Sequence, residues 1–429
     1  MNVVVFEDGL VDQFYPLSLT RPVWELRCGC FTGRERIQRF LDSEGGSARS
    51  ASTVVFLTRP HLAAYYRERY PDIVINDCSR LRSGVDVLFI NARYVDCGAA
   101  LDLQAGYGIA RQGAPLAVRL NPTAADAVVS GLSEHSADSI EKMLVSSGVA
   151  LREADGETAV DYIWDIIEMN PAQIARDARF YTKRTPNPLP PQVTIIGDGS
   201  LLLIGDDVRI DPFVCFDCTA GPIIVGDGCV INSFTRIEGP CFIGGKAVLL
   251  GAKVREGCSI GPGCRIGGEV EESVFQANSN KYHDGFIGHS YIGEWVNLGA
   301  LTTNSDLKNN YSSVKCYVPD RRVNTEKLKV GCFIGDFSKA SIGTLINTGT
   351  SIGVGCMLVH AGAMPPSHVP SFAWFFENEL HDRGSLPGFL KAAAAMTSRR
   401  GIACTPAFTG MLEAVHDITA PQRRGMGHR

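Results

Sequence analysis

A large apolar residue returns at six-residue steps through the second half of this chain. It steps through Ile204, Ile210 and Phe216, then Val225, Ile231, Ile237, Ile243 and Leu249, then Val254, Ile260 and Ile266. It resumes at Ile334, Ala340, Ile346, Ile352 and Leu358. A second slot of the hexad holds a small residue such as Val208, Val214, Thr235, Ala247, Ser338, Thr344 or Thr350. In five hexads that slot is cysteine: Cys229, Cys241, Cys258, Cys264 and Cys356. A repeat this strict decides the fold before local propensity does. It predicts a coil of short strands with three flat faces, one face and one corner per hexad. The aliphatic residue points inward, and the small residue fits beside it where a larger one would not pack. Glycine, aspartate and asparagine fill the corners because corners need unusual dihedrals.

The repeat also explains the cysteines. Fourteen of them raise the question of zinc or disulfides. Cys215-Phe-Asp-Cys218 has CxxC spacing and Cys28-Gly-Cys30 comes close. Five others, however, replace Ser or Ala of sister hexads and so read as small buried side chains. No second CxxC completes a tetrahedral set. The opening Asn2–Phe6 reads as a strand rather than a secretory signal, and no apolar run reaches bilayer length. The expectation is a soluble, reduced, cytoplasmic protein. A net charge of −5 without a basic block argues against nucleic acid as the main partner.

The first 185 residues have a different texture. Val3–Phe6, Val54–Leu57, Ile73–Ile75 and Val87–Ile90 read as buried parallel strands, with helices at Arg34–Leu41 and Leu62–Tyr70 between them. This βαβ pattern predicts a Rossmann-like α/β domain over 1–185, with ligands beyond the carboxyl ends of its strands. Asn121-Pro reads as a helix entry and Tyr162–Asn170 as an amphipathic helix. Pro186-Asn-Pro-Leu-Pro-Pro191 reads as a stiff linker. A left-handed parallel β-helix is expected over 192–365, and a short helical arm over 366–429.

Two interruptions of the repeat, near 267–286 and 303–330, bring together polar residues that the hexads do not call for, among them Glu269, Lys281, His283, Asn304, Asp306, Lys308 and Lys315. Long insertions in a compact solenoid are usually functional. The aromatic run Phe372–Phe376 in the arm is expected to cover the last coil.

Several motifs carry a family resemblance. An α/β head joined to a hexapeptide coil resembles the bifunctional enzymes that make UDP-N-acetylglucosamine. Asn280–Ala300, with Thr303-Asn-Ser-Asp-Leu-Lys308, strongly resembles the divergent, Bacteroidetes-type branch of that family, as does the opening Tyr15–Gly29. The resemblance implies a coil that transfers acetyl from acetyl-CoA to the amine of glucosamine 1-phosphate, and a head that joins the product to UMP from UTP. By position it makes His283 the general base, a role an imidazole can fill near neutral pH. It makes Arg236 the sugar-phosphate anchor and Asn297 a sugar contact. Asn304 matches less closely, and Lys281 and Lys308 become candidate phosphate or CoA contacts. Phe286 stands where the family has a tyrosine, and Glu271 where it has a phosphate-binding lysine.

The head departs further from that pattern. Its first loop, Phe6–Pro16, has one glycine where the family has a glycine-rich triphosphate loop. Asn91 replaces a metal-binding aspartate, and Asn170 matches a second metal-side asparagine, so the resemblance implies a weakened Mg²⁺ site. Arg21 and Arg27 are the candidate nucleotide phosphate contacts. The family also implies a homotrimer. Two other readings stay open: a non-catalytic sugar-nucleotide sensor or scaffold, and a trimeric zinc enzyme of the gamma-carbonic-anhydrase type using His283, His289 and His360.

Overall fold

The computed structural model describes residues 1–43, 53–132, 137–154, 159–181, 189–359, 362–382 and 384–426. Pro186-Asn187-Pro188 of the proline-rich linker and His360 lie outside these residues. The head is built on a seven-stranded sheet of β1 (Asn2–Phe6), β2 (Val54–Phe56), β3 (Val74–Ile75), β4 (Val87–Asn91), β5 (Tyr107–Arg111), β6 (Ala114–Leu120) and β7 (Ala150–Glu153). The strand order is β3-β2-β1-β4-β6-β5-β7. β1 to β4 run parallel, as their continuous apolar runs predict, and β6 is antiparallel to both β4 and β5. Helices α1 (Gly33–Ser43), α2 (Pro60–Arg69), α3 (Pro122–Gly131), α4 (Ala137–Ser146) and α5 (Ile163–Asp177) accompany the sheet. Asn121 caps α3 by accepting from the Ala124 N–H at 3.0 Å, with Pro122 in the first turn.

The hexads form a parallel β-helix. One face runs from Leu202–Ile204 through nine rungs to His368–Val369. A second carries Arg265, Asn280, Asn297, Lys339, Met357 and Trp374 in one outward register. A third carries Cys215, Arg236, Lys253, Glu269 and Phe286. The aliphatic residues meet inside, and the five repeat cysteines are free thiols no more than 1% exposed. Each inward Ile or Leu contributes roughly 1.5–3 kcal/mol of burial, which makes the period binding on the fold.

Three expectations need correction. Residues 267–286 do not interrupt the coil: Val274, Asn280 and Phe286 all pair in register with the previous turn. Only the second interruption is an insertion, and it folds into an antiparallel hairpin of Lys315–Val318 and Arg321–Asn324. Nor does the coil stop at residue 365. His368–Val369 and Trp374–Phe376 form a further turn, so the aromatic run belongs to the coil itself. Helices α6 (Leu386–Ser398) and α7 (Pro406–Arg423) then fold back, with Phe389 against Phe337 and Phe372.

Head, coil, insertion and arm share one apolar cluster. It joins Phe14 and Trp24 of the head to Trp295 and Phe337 of the coil, Val314 of the insertion and Phe408 of α7.

Candidate functional site

His283 sits on the corner between the second and third faces. The corner is tight because glycine allows it. A side chain on Gly268, at φ +67°, would lie 2.5 Å from the Gly285 carbonyl oxygen. One on Gly285, at φ +122°, would lie 2.2 Å from that of Thr302. Lys281 is fully buried beneath the loop, and its ammonium donates to the His283 carbonyl. Burial pushes its pKa down to about 8, which Asp284 only partly offsets.

The exposed His283 side chain borders a cavity of about 330 Å³ with Arg265, Asn280, Tyr282, Asn297 and Ile342. Among the described residues no carboxylate lines it. Asn280 donates to Asn297 Oδ1 at 3.3 Å and accepts from Arg400 of the arm at 3.3 Å. Arg265 lies 5.9 Å from the Tyr282 ring centre and has no ion-pair partner among the described residues. Its place in the register of Asn280 and Asn297 was the signal available in the sequence.

The other expected coil residues go elsewhere. Arg236 pairs with Asp217 at 2.6 Å and with Glu238 at 2.7 Å. Three rungs separate it from Phe286 of the His283 loop, about 14 Å at ordinary strand spacing. Asn304 is buried and clamps two rungs, accepting from the Gly288 N–H at 2.8 Å and donating to the Gly288 carbonyl at 3.0 Å. Lys308 donates to the Ser313 carbonyl at 2.6 Å within the insertion. Of the expected coil set, His283 and Asn297 share the cavity.

His289 occupies the next corner and faces two carboxylates, Asp306 at 2.8 Å and Glu272 at 3.3 Å. Burial disfavours its charge, but the hydrogen bonds to Asp306 and Glu272 outweigh that and raise its pKa to about 9. His289 and His283 lie at opposite ends of the strand Phe286–Gly288. Among the described residues the one group spaced to hold a metal is Glu256, Glu271 and Glu272, which includes no histidine.

In the head, the arginines expected at a nucleotide serve the contact with the coil. Arg21 is buried against Asp336, with Glu294 at 3.8 Å. The Arg27 N–H donates to Tyr291 Oη at 2.7 Å, and its guanidinium donates to the Cys30 carbonyl at 2.5 Å. Asn170 lies in the same contact. Its Oδ1 accepts from Gly29 N–H at 2.6 Å and Ser259 Oγ at 3.0 Å, and its Nδ2 donates to the Gly257 carbonyl at 2.8 Å.

Asn91 ends β4. It donates to Asp8 Oδ2 at 2.7 Å and accepts from the Arg93 N–H at 3.0 Å. Asp8 is itself paired with Arg93 at 2.7 Å. With the Asn91 oxygen and the Asp8 carboxylate so engaged, and Asn170 facing the coil, these residues do not fit a Mg²⁺ site as arranged. The carboxyl end of β1 carries Glu7 as well, held by the Val23 N–H at 2.9 Å and by Arg59 at 3.3 Å.

Residues 3–185 match the family described as sugar nucleotidyl transferase. The chain is 26% identical over 165 residues to the bifunctional protein GlmU of Wigglesworthia glossinidia brevipalpis, covering 38% of this chain and 32% of that one. It is 36% identical over 85 residues to a bifunctional sugar-1-phosphate nucleotidylyltransferase/acetyltransferase of Sulfurisphaera tokodaii, covering 20% and 21%. The matches thus span about a third or less of these relatives. Among solved structures, an Arabidopsis UDP-N-acetylglucosamine acyltransferase aligns with 55% of this chain and 98% of its own, at 13% identity and a TM-score of 0.27. No helix among the described residues is long and apolar enough to cross a membrane.

Proposed function

We propose that the coil transfers acetyl from acetyl-CoA to the amine of an amino-sugar 1-phosphate, with glucosamine 1-phosphate as the acceptor. The observation that carries this reading is the His283 cavity: among the described residues it is lined by an exposed imidazole, two asparagine amides and an arginine without an ion-pair partner, and by no acid. His283 takes the amine proton as the nitrogen attacks the thioester carbonyl carbon. The C–N bond forms, the C–S bond breaks and the thiol leaves with a proton. Asn280 and Asn297 suit sugar hydroxyls. Arg265 suits the phosphate, in the place expected of Arg236.

The head enters this reading through its family match, as the part that joins the acetylated sugar phosphate to UMP from UTP. A second reading of the head, as a sugar-nucleotide-binding scaffold without catalysis, is favoured by the burial of Arg21 against Asp336. A homotrimer fits the corner column that carries His283: Ile342 beside it is 70% exposed, and about three rungs away Phe234 is 75% exposed and stacks on Phe213. A cytoplasmic setting belongs to the same reading.

The test is a panel of amino-sugar phosphates assayed with acetyl-CoA, with and without UTP and Mg²⁺. Acetylated sugar phosphate is the expected product. Absence of thiol release with every acceptor would overturn the reading of the coil. Pyrophosphate release separates the two readings of the head.

A further inference from the structure

A second cavity, of about 370 Å³, lies between the second face of the coil and the arm helix α6. Its floor is Lys339, Met357 and Trp374, stacked in register, and Phe372 and Phe389 add to its walls. Among the described residues the lining holds one cation and no carboxylate. Lys339 is half-buried, and among the described residues its ammonium has no hydrogen-bond or ion-pair partner. A half-buried ammonium without a counter-charge is a cost that a bound anion would remove. Glycine keeps the indole edge clear, since a side chain at Gly384 would meet Trp374 Nε1 at 3.0 Å. The volume and the aromatic walls suit a ring-bearing ligand.

We propose that this cavity is a nucleotide site, with a phosphate on Lys339 and the base against Trp374. Its position names two sources for the nucleotide. Asn297 lines the His283 cavity and is the register partner of Lys339, so the two cavities adjoin on one face. Three rungs, about 14 Å, separate Asn297 from Trp374. A long thioester such as acetyl-CoA would then place its acyl end at His283 and its nucleotide end under α6. A free nucleotide would use the same groups. Only the first source rests on the proposed acetyl transfer.

The probes are adenosine 3′,5′-bisphosphate, UMP, acetyl-CoA and acetyl-pantetheine, which lacks the nucleotide. Binding is read on the full-length protein by calorimetry, for the wild type, Lys339→Gln and Trp374→Leu. At least one nucleotide should bind, and each substitution should weaken it about tenfold, the scale of a charge-assisted contact. If the donor is the source, Lys339→Gln raises the KM for acetyl-CoA about tenfold and that for acetyl-pantetheine far less. If a free nucleotide is the source, its affinity falls while the acetyl-CoA KM stays. Undetectable nucleotide binding overturns the proposal, as does equal affinity in wild type and folded Lys339→Gln. A chain that binds nucleotide at Lys339 but transfers no acetyl would leave this site standing and remove the proposed function.

Discussion

Arg21 of the head donates to Asp336 of the coil across 315 residues of sequence, and the two side chains are 2% and 6% exposed. Removing one partner leaves the other charge buried, which costs about 3–5 kcal/mol. Arg21→Ala is therefore expected to lower the stability of the whole chain by that amount in urea denaturation. Arg21→Met with Asp336→Leu should recover most of it. A variant of wild-type stability that had lost only UTP affinity would return Arg21 to a nucleotide.

His283→Ala should reduce acetyl transfer by roughly 10²–10⁴ while the acceptor KM changes little, because general-base catalysis acts on the transition state. Steady-state rates on a folded variant check this.

Arg265→Ala should raise the KM for a sugar phosphate about ten- to a hundredfold, and for the same sugar without phosphate far less. Arg236→Ala should do neither, since Asp217 and Glu238 already engage that guanidinium. Parallel kinetics on the two acceptors separate the arginines.

The contacts of His289 with Asp306 and Glu272 give a pH dependence with a definite sign. Its pKa is raised, so the stability it contributes is complete below the ordinary histidine pKa near 6.5 and is lost as pH rises through about 9. Asp306 and Glu272 have lowered pKa values, so their share is lost only as pH falls through the acidic range. Amide hydrogen exchange of residues 303–330 should quicken above pH 9 in the wild type. In His289→Gln it should be fast already at neutral pH.

Thiol labelling of the native protein should reach Cys78, Cys215 and Cys404 first, since these are the partly exposed cysteines among the described residues. The five repeat thiols should wait for unfolding. Burial pushes Cys229 up to about 11 and Cys264 and Cys356 to about 12, so little thiolate is available to react.

What was legible in the sequence follows from how far each signal reaches. The coil was legible because an inward Ile every six residues repeats the same constraint many times. The head strands were legible because Val3–Phe6 and Val87–Ile90 are buried on both sides and so are apolar throughout. The partners of Arg21, Arg27 and Asn170 left no such trace. Each contact is made once, between residues far apart in the chain, and a lone arginine looks the same whether it faces a phosphate or Asp336. Asn304 misled for a related reason: its amide answers the backbone of Gly288 rather than a sugar. Arg265 was missed because its clue was an outward register, visible only once the rungs are aligned.

The shared apolar cluster that binds Trp24, Trp295, Val314 and Phe408 has a bearing on inheritance. The two halves look like cassettes that recombination could trade at the proline-rich segment. A chain cut and rejoined there would carry a coil whose Trp295 and Phe337 had lost their cover, beside a head whose Trp24 faced a stranger's surface. The halves are held to a common history, and substitutions at this seam should be found in compensating pairs.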